Sequence, residues 1–223
     1  MKRVVIPFCA LFFAVAGHTQ ASAQDAYIGA MALVDAVRTS GVRAVEPTSG
    51  EAIGGAFRAG SVLGRTWGVE LEIARSGDIR RSSPVRILAE DVILPRVAPG
   101  VLIFPPPSIT TDAQLTVLTT AVFWRQTISD RFQLRYIGGA AFRRTRTRTE
   151  ITYPLPRFPQ VDAPGTLGQT IRQDGVDYGV GVAVGFEAGI RMTEQLRFVP
   201  GARLLTAESS WIVRPAVGLE WTF

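Results

Sequence analysis

The side chains able to do chemistry in this sequence are few, and they are nearly all charged. Glu70 and Glu72 stand two residues apart, and Glu90 and Asp91 are adjacent. Paired carboxylates of this kind can act as acid and base or bind calcium. The stretch "FRRTRTRTE", residues 142–150, sets Arg144, Arg146 and Arg148 at every second position. A guanidinium binds phosphate through two parallel hydrogen bonds, so this row has the chemistry of an anion contact. The usual agents of catalysis are confined to the first residues. The only Cys (Cys9), the only His (His18) and the only Lys (Lys2) all lie within residues 1–23.

Those residues read as an export signal. Lys2 and Arg3 form a basic start, Val4 to Ala16 an apolar run, and Ala21-Ser22-Ala23 a small-x-small cleavage pattern. The run is shorter than the roughly 20 residues a membrane helix requires. Two domains are therefore expected: a signal peptide, 1–23, removed between Ala23 and Gln24, and one β domain, 24–223. The processed chain would hold no thiol and no imidazole. That excludes a disulfide framework, a Cys/His zinc site and a Cys nucleophile. Proton transfer near neutral pH wants a group titrating there, and none remains. No catalytic residue, cofactor or metal is assigned. The formal net charge of +5 is the sort of balance that hints at nucleic acid. An exported chain has no access to it, and the arginines need another account.

After residue 24 no apolar stretch is long enough for a membrane helix, and period-2 alternation takes over. From Val176 to Arg191, Val176, Tyr178, Val180, Val182, Val184, Phe186, Ala188 and Ile190 alternate with a set dominated by glycine that includes Glu187. Phe132–Phe142, Trp67–Ala74 and Trp211–Phe223 repeat the pattern; Ala26–Val37, Ala52–Ala59, Leu115–Trp124 and Gln195–Thr206 do so more weakly. Eight strands result. Their connections alternate long and short, with long ones at 38–51, 76–113 and 149–175. This is the signature of an up-and-down barrel with turns at one end and loops at the other.

Alternation alone does not say which face is outside. An eight-stranded lumen barely holds its own side chains, which suits a face of Gly and Ala. Repeated Gly weakens a strand and is a poor choice for a solvated face. Aromatic residues gather towards strand ends: Tyr27, Trp67, Trp124, Phe132, Trp221 and Phe223 at one rim, Phe142, Tyr178 and Trp211 at the other. Ten steps from Phe132 to Phe142, at roughly 3.3 Å and a tilt of about 40°, rise about 25 Å, the height of a membrane barrel's apolar band. The apolar set is thus expected to face lipid and the charged set the lumen. A soluble, lipocalin-like barrel would invert this.

The chain ends "VGLEWTF". Gly218, Trp221 and Phe223 resemble the carboxy-terminal signal that the assembly machinery reads in Gram-negative outer-membrane barrels, although Ala216 stands where that pattern tends to be polar. Together with the leader and the eight strands, the chain resembles the small eight-stranded OmpA/OmpX-like barrel family. The resemblance implies an all-β, eight-stranded antiparallel up-and-down transmembrane β-barrel in the outer membrane. It implies outer-membrane lipid, lipopolysaccharide and the assembly machinery as partners, and no nucleic acid. It also implies an envelope structural or surface-interaction role. Two other roles are open on this resemblance, a small-solute or hydrophobic-molecule channel and a lipid A-modifying enzyme. Enzymes of this barrel class use histidine, which counts against the last.

Charges in so narrow a lumen must be paired. The inward set contains Glu70, Glu72, Arg135, Glu187, Arg197, Arg214 and Glu220, and Glu70 and Glu72 are expected to meet Arg135, Arg197 or Arg214. A tight turn at 192–194 would set Gly189 opposite Arg197 with Glu187 diagonal to it, and the short loop near 208 would set Arg197 opposite Glu220. Arg135 is expected one layer away. Outside, Arg144, Arg146 and Arg148 continue the face of Phe142 above the apolar band, at the level of lipopolysaccharide phosphates.

Overall fold

The computed structural model describes residues 26–39, 50–84, 108–153, 169–207 and 210–223. Residues 1–23 and the pair Glu90-Asp91 lie outside them. Eight antiparallel strands close into one ring, each hydrogen-bonded to its neighbours in sequence and the last to the first. They are β1 (Ala26–Thr39), β2 (Gly50–Val62), β3 (Trp67–Pro84), β4 (Ser108–Ser129), β5 (Phe132–Tyr153), β6 (Gln169–Arg191), β7 (Leu196–Ala207) and β8 (Ser210–Thr222). The turns 63–66, 130–131 and 192–195 lie at the end that carries Ala26 and Phe223, here the terminus end; the opposite end, where β1 stops and β2 starts, is here the loop end.

The expected face assignment matches the wall. Val180, Val182, Val184 and Phe186 are exposed on the outside, whereas Ala183 and Glu187 are about 1% exposed inside. Trp67, Trp124, Tyr136 and Phe186 form one outward row across β3 to β6, each paired with the next. Trp124 stacks on Tyr136 at 5.5 Å between ring centroids. Amphipathic rings in such a row sit where hydrocarbon meets polar headgroups. Tyr27 departs from the expectation. It is 3% exposed inside the lumen, and its hydroxyl donates to Glu70 Oε2 at 2.6 Å. A phenol with a buried carboxylate in reach is better satisfied there than against lipid.

The middle strands run further than alternation indicates. β3 continues to Pro84, β4 begins at Ser108, β5 reaches Tyr153 and β6 begins at Gln169, so strand takes in 76–84 and 108–113 of one expected loop and 149–153 and 169–175 of the other. A bulge between Arg75 and Asp78 explains the first case. Arg75 faces out, Ser76 in, Gly77 and Asp78 out, and Ile79 in, so one extra residue breaks the period of two.

The lumen is filled in layers. At the terminus end Tyr27, Val62, Ala121, Phe123 and Ile137 cluster. At the loop end Val37, Ala52, Ile79, Ala113, Leu115, Val117, Ala141, Ala183, Leu205 and Ile212 form a larger apolar cluster. Charged side chains occupy the space between.

Candidate functional site

Among the described residues the buried charges are Arg58, Arg135, Arg197, Arg203 and Arg214, with Asp35, Glu70, Glu72, Glu187 and Glu220. Five positive groups stand against five negative ones, so the lumen is neutral as a block. Glu187 is the hub. Its Oε2 lies 2.7 Å from Arg58 and 3.2 Å from Arg135, and its Oε1 2.7 Å from Arg203. Glu220 accepts from Arg135 at 2.5 Å and Arg58 at 3.1 Å, and lies 3.5 Å from Arg197. Arg203 also reaches Glu70 at 2.5 Å and Glu72 at 3.1 Å. Nearer the loop end Arg214 forks onto Asp35 at 2.6 and 3.0 Å and reaches Glu72 at 3.3 Å, while Ser76 donates to Asp35 at 2.7 Å. Towards the terminus end the Arg135 guanidinium lies 5.0 Å from the Tyr27 ring centroid and 5.5 Å from that of Phe123.

Small residues on the wall make this crossing possible. Gly29 pairs with Arg58 on one side and Glu220 on the other. A Cβ there would lie 3.0 Å from Arg58 Nε, so any larger residue would crowd the guanidinium. At Gly201 a Cβ would lie 2.6 Å from Glu187 Cγ. The glycine-rich inner face is the room into which long charged side chains lean from the neighbouring strand.

Several expected contacts are corrected. Arg197 pairs with Arg191, not Gly189, because the N–H groups of Met192 and Thr193 both donate to the Leu196 carbonyl and widen the turn by two residues. Arg203 therefore takes the place beside Glu187 that the tighter turn would have given to Arg197. Arg197 does lie opposite Glu220. Arg135 is not a layer away: it pairs directly with Glu187 and also binds Glu220. Glu70 pairs with Arg203 and Arg58, neither of them expected, whereas Glu72 pairs with the expected Arg214 and also with Arg203. Sequence reasoning missed Arg58, Arg203 and Asp35. Arg58 was within reach of parity, since Ile53 and Phe57 mark the lipid face of β2.

Arg144, Arg146 and Arg148 face outwards and are exposed. The structure separates them. Arg148 Nε lies 3.8 Å from Glu150, which also holds Arg172 at 2.9 Å. Arg144 and Arg146 share a surface cleft of about 150 Å³ with Arg75, Gln114 and Thr116. Among the described residues no group of His, Cys, Asp and Glu is placed to hold a metal ion. Gly218, Trp221 and Phe223 lie on the last strand or just beyond it; the Phe223 N–H donates to the Ala26 carbonyl at 2.9 Å and ties the last strand to the first.

A closed ring of eight antiparallel strands, apolar outside and charged within, defines a small transmembrane β-barrel of the outer-membrane type. No protein-family model matches the chain, and no curated protein matches it. Among solved structures it is similar to Ail, the attachment invasion locus protein of Yersinia pestis, at 13% identity and a TM-score of 0.51, over 91% of this chain and 100% of that one. Also similar are a major outer membrane protein from Thermus thermophilus, at 13% identity and a TM-score of 0.49, and Neisserial surface protein A, at 13% and 0.47. Each of these matches covers 91% of this chain and 100% of the other. The likeness to Ail is one of fold.

Proposed function

We propose that this protein is a closed barrel of a Gram-negative outer membrane, with a structural or surface-interaction role in the envelope and no pore. The supporting observation is the lumen. Glu187, Arg135, Arg214 and Glu220 are each no more than 2% exposed, and every one is engaged by a charge of opposite sign. An ion entering would have to displace these pairs, and breaking a buried pair costs about 3–5 kcal/mol. Packed clusters of largely apolar side chains towards both ends narrow the path further. The reading assigns no catalytic residue.

It takes residues 1–23 as a cleaved export signal and Gly218, Trp221 and Phe223 as the mark read by the assembly machinery. Replacing Phe223 with Ala should lower the amount of barrel reaching the outer membrane more than it lowers the stability of barrel already folded. Normal outer-membrane levels would remove that assignment. The lumen is tested by conductance. Purified protein in a planar bilayer should give no unitary current steps. Reproducible steps from folded protein, identified by its heat-modifiable gel mobility, would replace the closed barrel with a small-solute channel.

A further inference from the structure

Across β3 to β5 the apolar band of the outer wall ends abruptly, while β6 carries Tyr178 and Val176 beyond it. Ile73, Leu118, Phe142 and Val180 form one row across β3 to β6. The next outward row towards the loop end is Arg75, Thr116, Arg144 and Tyr178, and the one after it carries Asp78, Gln114 and Arg146. Successive outward rows are separated by two residues, about 7 Å along the strand. Three guanidiniums from two strands thus converge over Thr116 and Gln114, in the cleft described above.

Among the described arginines on the outer face of β3 to β6, their pairing sets them apart. Asp112 lies 3.5 Å from Arg80, and Glu150 is shared by Arg148 and Arg172. Asp78 accepts from Gln114 Nε2 at 3.4 Å. Arg75 donates to Gln114 Oε1 at 2.9 Å, which orients its guanidinium along the wall. Arg75, Arg144 and Arg146 have no carboxylate partner among the described residues. Tyr178, 67% exposed and opposite Arg144, supplies an amphipathic ring at the same height. The bulge at Arg75 keeps that residue on the outer face while the strand above changes period.

We propose that Arg75, Arg144 and Arg146 form a binding site for the phosphate of a phosphorylated glycolipid headgroup in the surrounding leaflet, the class to which lipid A belongs. Gln114 holds Arg75 in place, and the Thr116 hydroxyl is a further donor. The row lies directly above hydrocarbon, where a lipid's acyl chains meet the apolar band as its phosphate meets the arginines. A headgroup phosphate fits this position better than a soluble anion, which gains nothing from the band below. Arg148 is left out of the site because it has Glu150 within 3.8 Å, a carboxylate neighbour the other three lack among the described residues. The inference rests on the outer-membrane placement proposed above and is independent of whether the lumen is closed.

The test uses full-length protein folded in detergent micelles, with heat-modifiable mobility required of every variant. The probes are bisphosphorylated lipid A, the same lipid stripped of both phosphates, and inorganic phosphate. The triple variant Arg75→Gln, Arg144→Gln, Arg146→Gln should bind bisphosphorylated lipid A about tenfold or more weakly than wild type, because it removes three charge-assisted hydrogen-bond donors to phosphate at an exposed site. The control Arg80→Gln, Arg148→Gln, Arg172→Gln removes the same charge from paired positions and should stay within about twofold of wild type, as exposed ion pairs contribute little. Wild type should prefer the phosphorylated lipid. Equal weakening in both triple variants would reduce the effect to net charge and overturn the site. Equal affinity for the stripped lipid would overturn the phosphate contact. Displacement of lipid A by millimolar inorganic phosphate would replace the lipid site with a soluble-anion site. A triple variant that binds normally refutes the proposal outright. Misplacement in the membrane would appear separately, as absence of the protein from outer-membrane fractions.

Discussion

Arg203 and Arg144 are the same residue on opposite faces of one wall. Arg203 is 4% exposed and touches Glu70, Glu72 and Glu187, all within 3.1 Å. Arg144 is exposed and has no carboxylate partner among the described residues. In the lumen a lone charge has no water to fall back on, so each arginine must come with acids from neighbouring strands. Outside, at the edge of the apolar band, water satisfies a guanidinium, and pairing is optional. An arginine left unpaired there stays available to a ligand, which makes the exposed cluster the more informative about function and the buried one about architecture.

The comparison can be broken most forcibly at the hub. Glu187→Leu leaves Arg58, Arg135 and Arg203 short of a carboxylate, and should cost about 3–5 kcal/mol in denaturant unfolding from micelles. Adding Arg203→Met should recover part of that loss, because the two sites share partners. A cost below about 1 kcal/mol for the single variant would mean that the lumen tolerates unpaired charge. Gly201→Ala probes the room rather than the charge. Its Cβ would press on Glu187, so overpacking should cost about 1–3 kcal/mol. Salt should separate the two faces. At 1 M ionic strength, where screening acts within about 3 Å, retention of phosphorylated lipid should fall while the barrel's unfolding midpoint hardly moves. A midpoint that tracks salt as strongly as lipid retention does would place water in the lumen. The smallest effect is expected from Arg148→Gln. Its pair with Glu150 is long and exposed, so stability should change by less than about 1 kcal/mol.

The strands with clean alternation were legible from sequence. In β6 and β8 bulky residues outside and glycine or charge inside leave one reading, and Glu187, Arg214 and Glu220 lie on the face that parity gives them. β1, β2 and β7 were harder, because Met31, Leu33 and Leu205 are apolar yet inward, and Gly54-Gly55 marks neither face. Hence Asp35 and Arg203 went unread. Which β7 arginine meets Glu187 depended on the width of one turn, which rests on two backbone hydrogen bonds to Leu196 that no side-chain pattern encodes. Arg75 was missed as a wall residue because the bulge ends the visible period beside it.

That bulge also bears on how the chain length of β3 can change. Between Arg75 and Asp78 the strand spends three steps against two on β4, and Gly77 and Asp78 both face outwards. Deleting Gly77 would leave Arg75 out, Ser76 in, Asp78 out and Ile79 in: a regular ladder with every neighbour on its present face. Deleting Ala74 instead would also close the bulge, but it would turn Arg75 and Gly77 into the lumen and Ser76 outwards, while Glu70, Glu72 and the strand from Asp78 onwards keep their faces. A lost codon at one position is absorbed by the sheet; three codons earlier it turns part of the strand inside out.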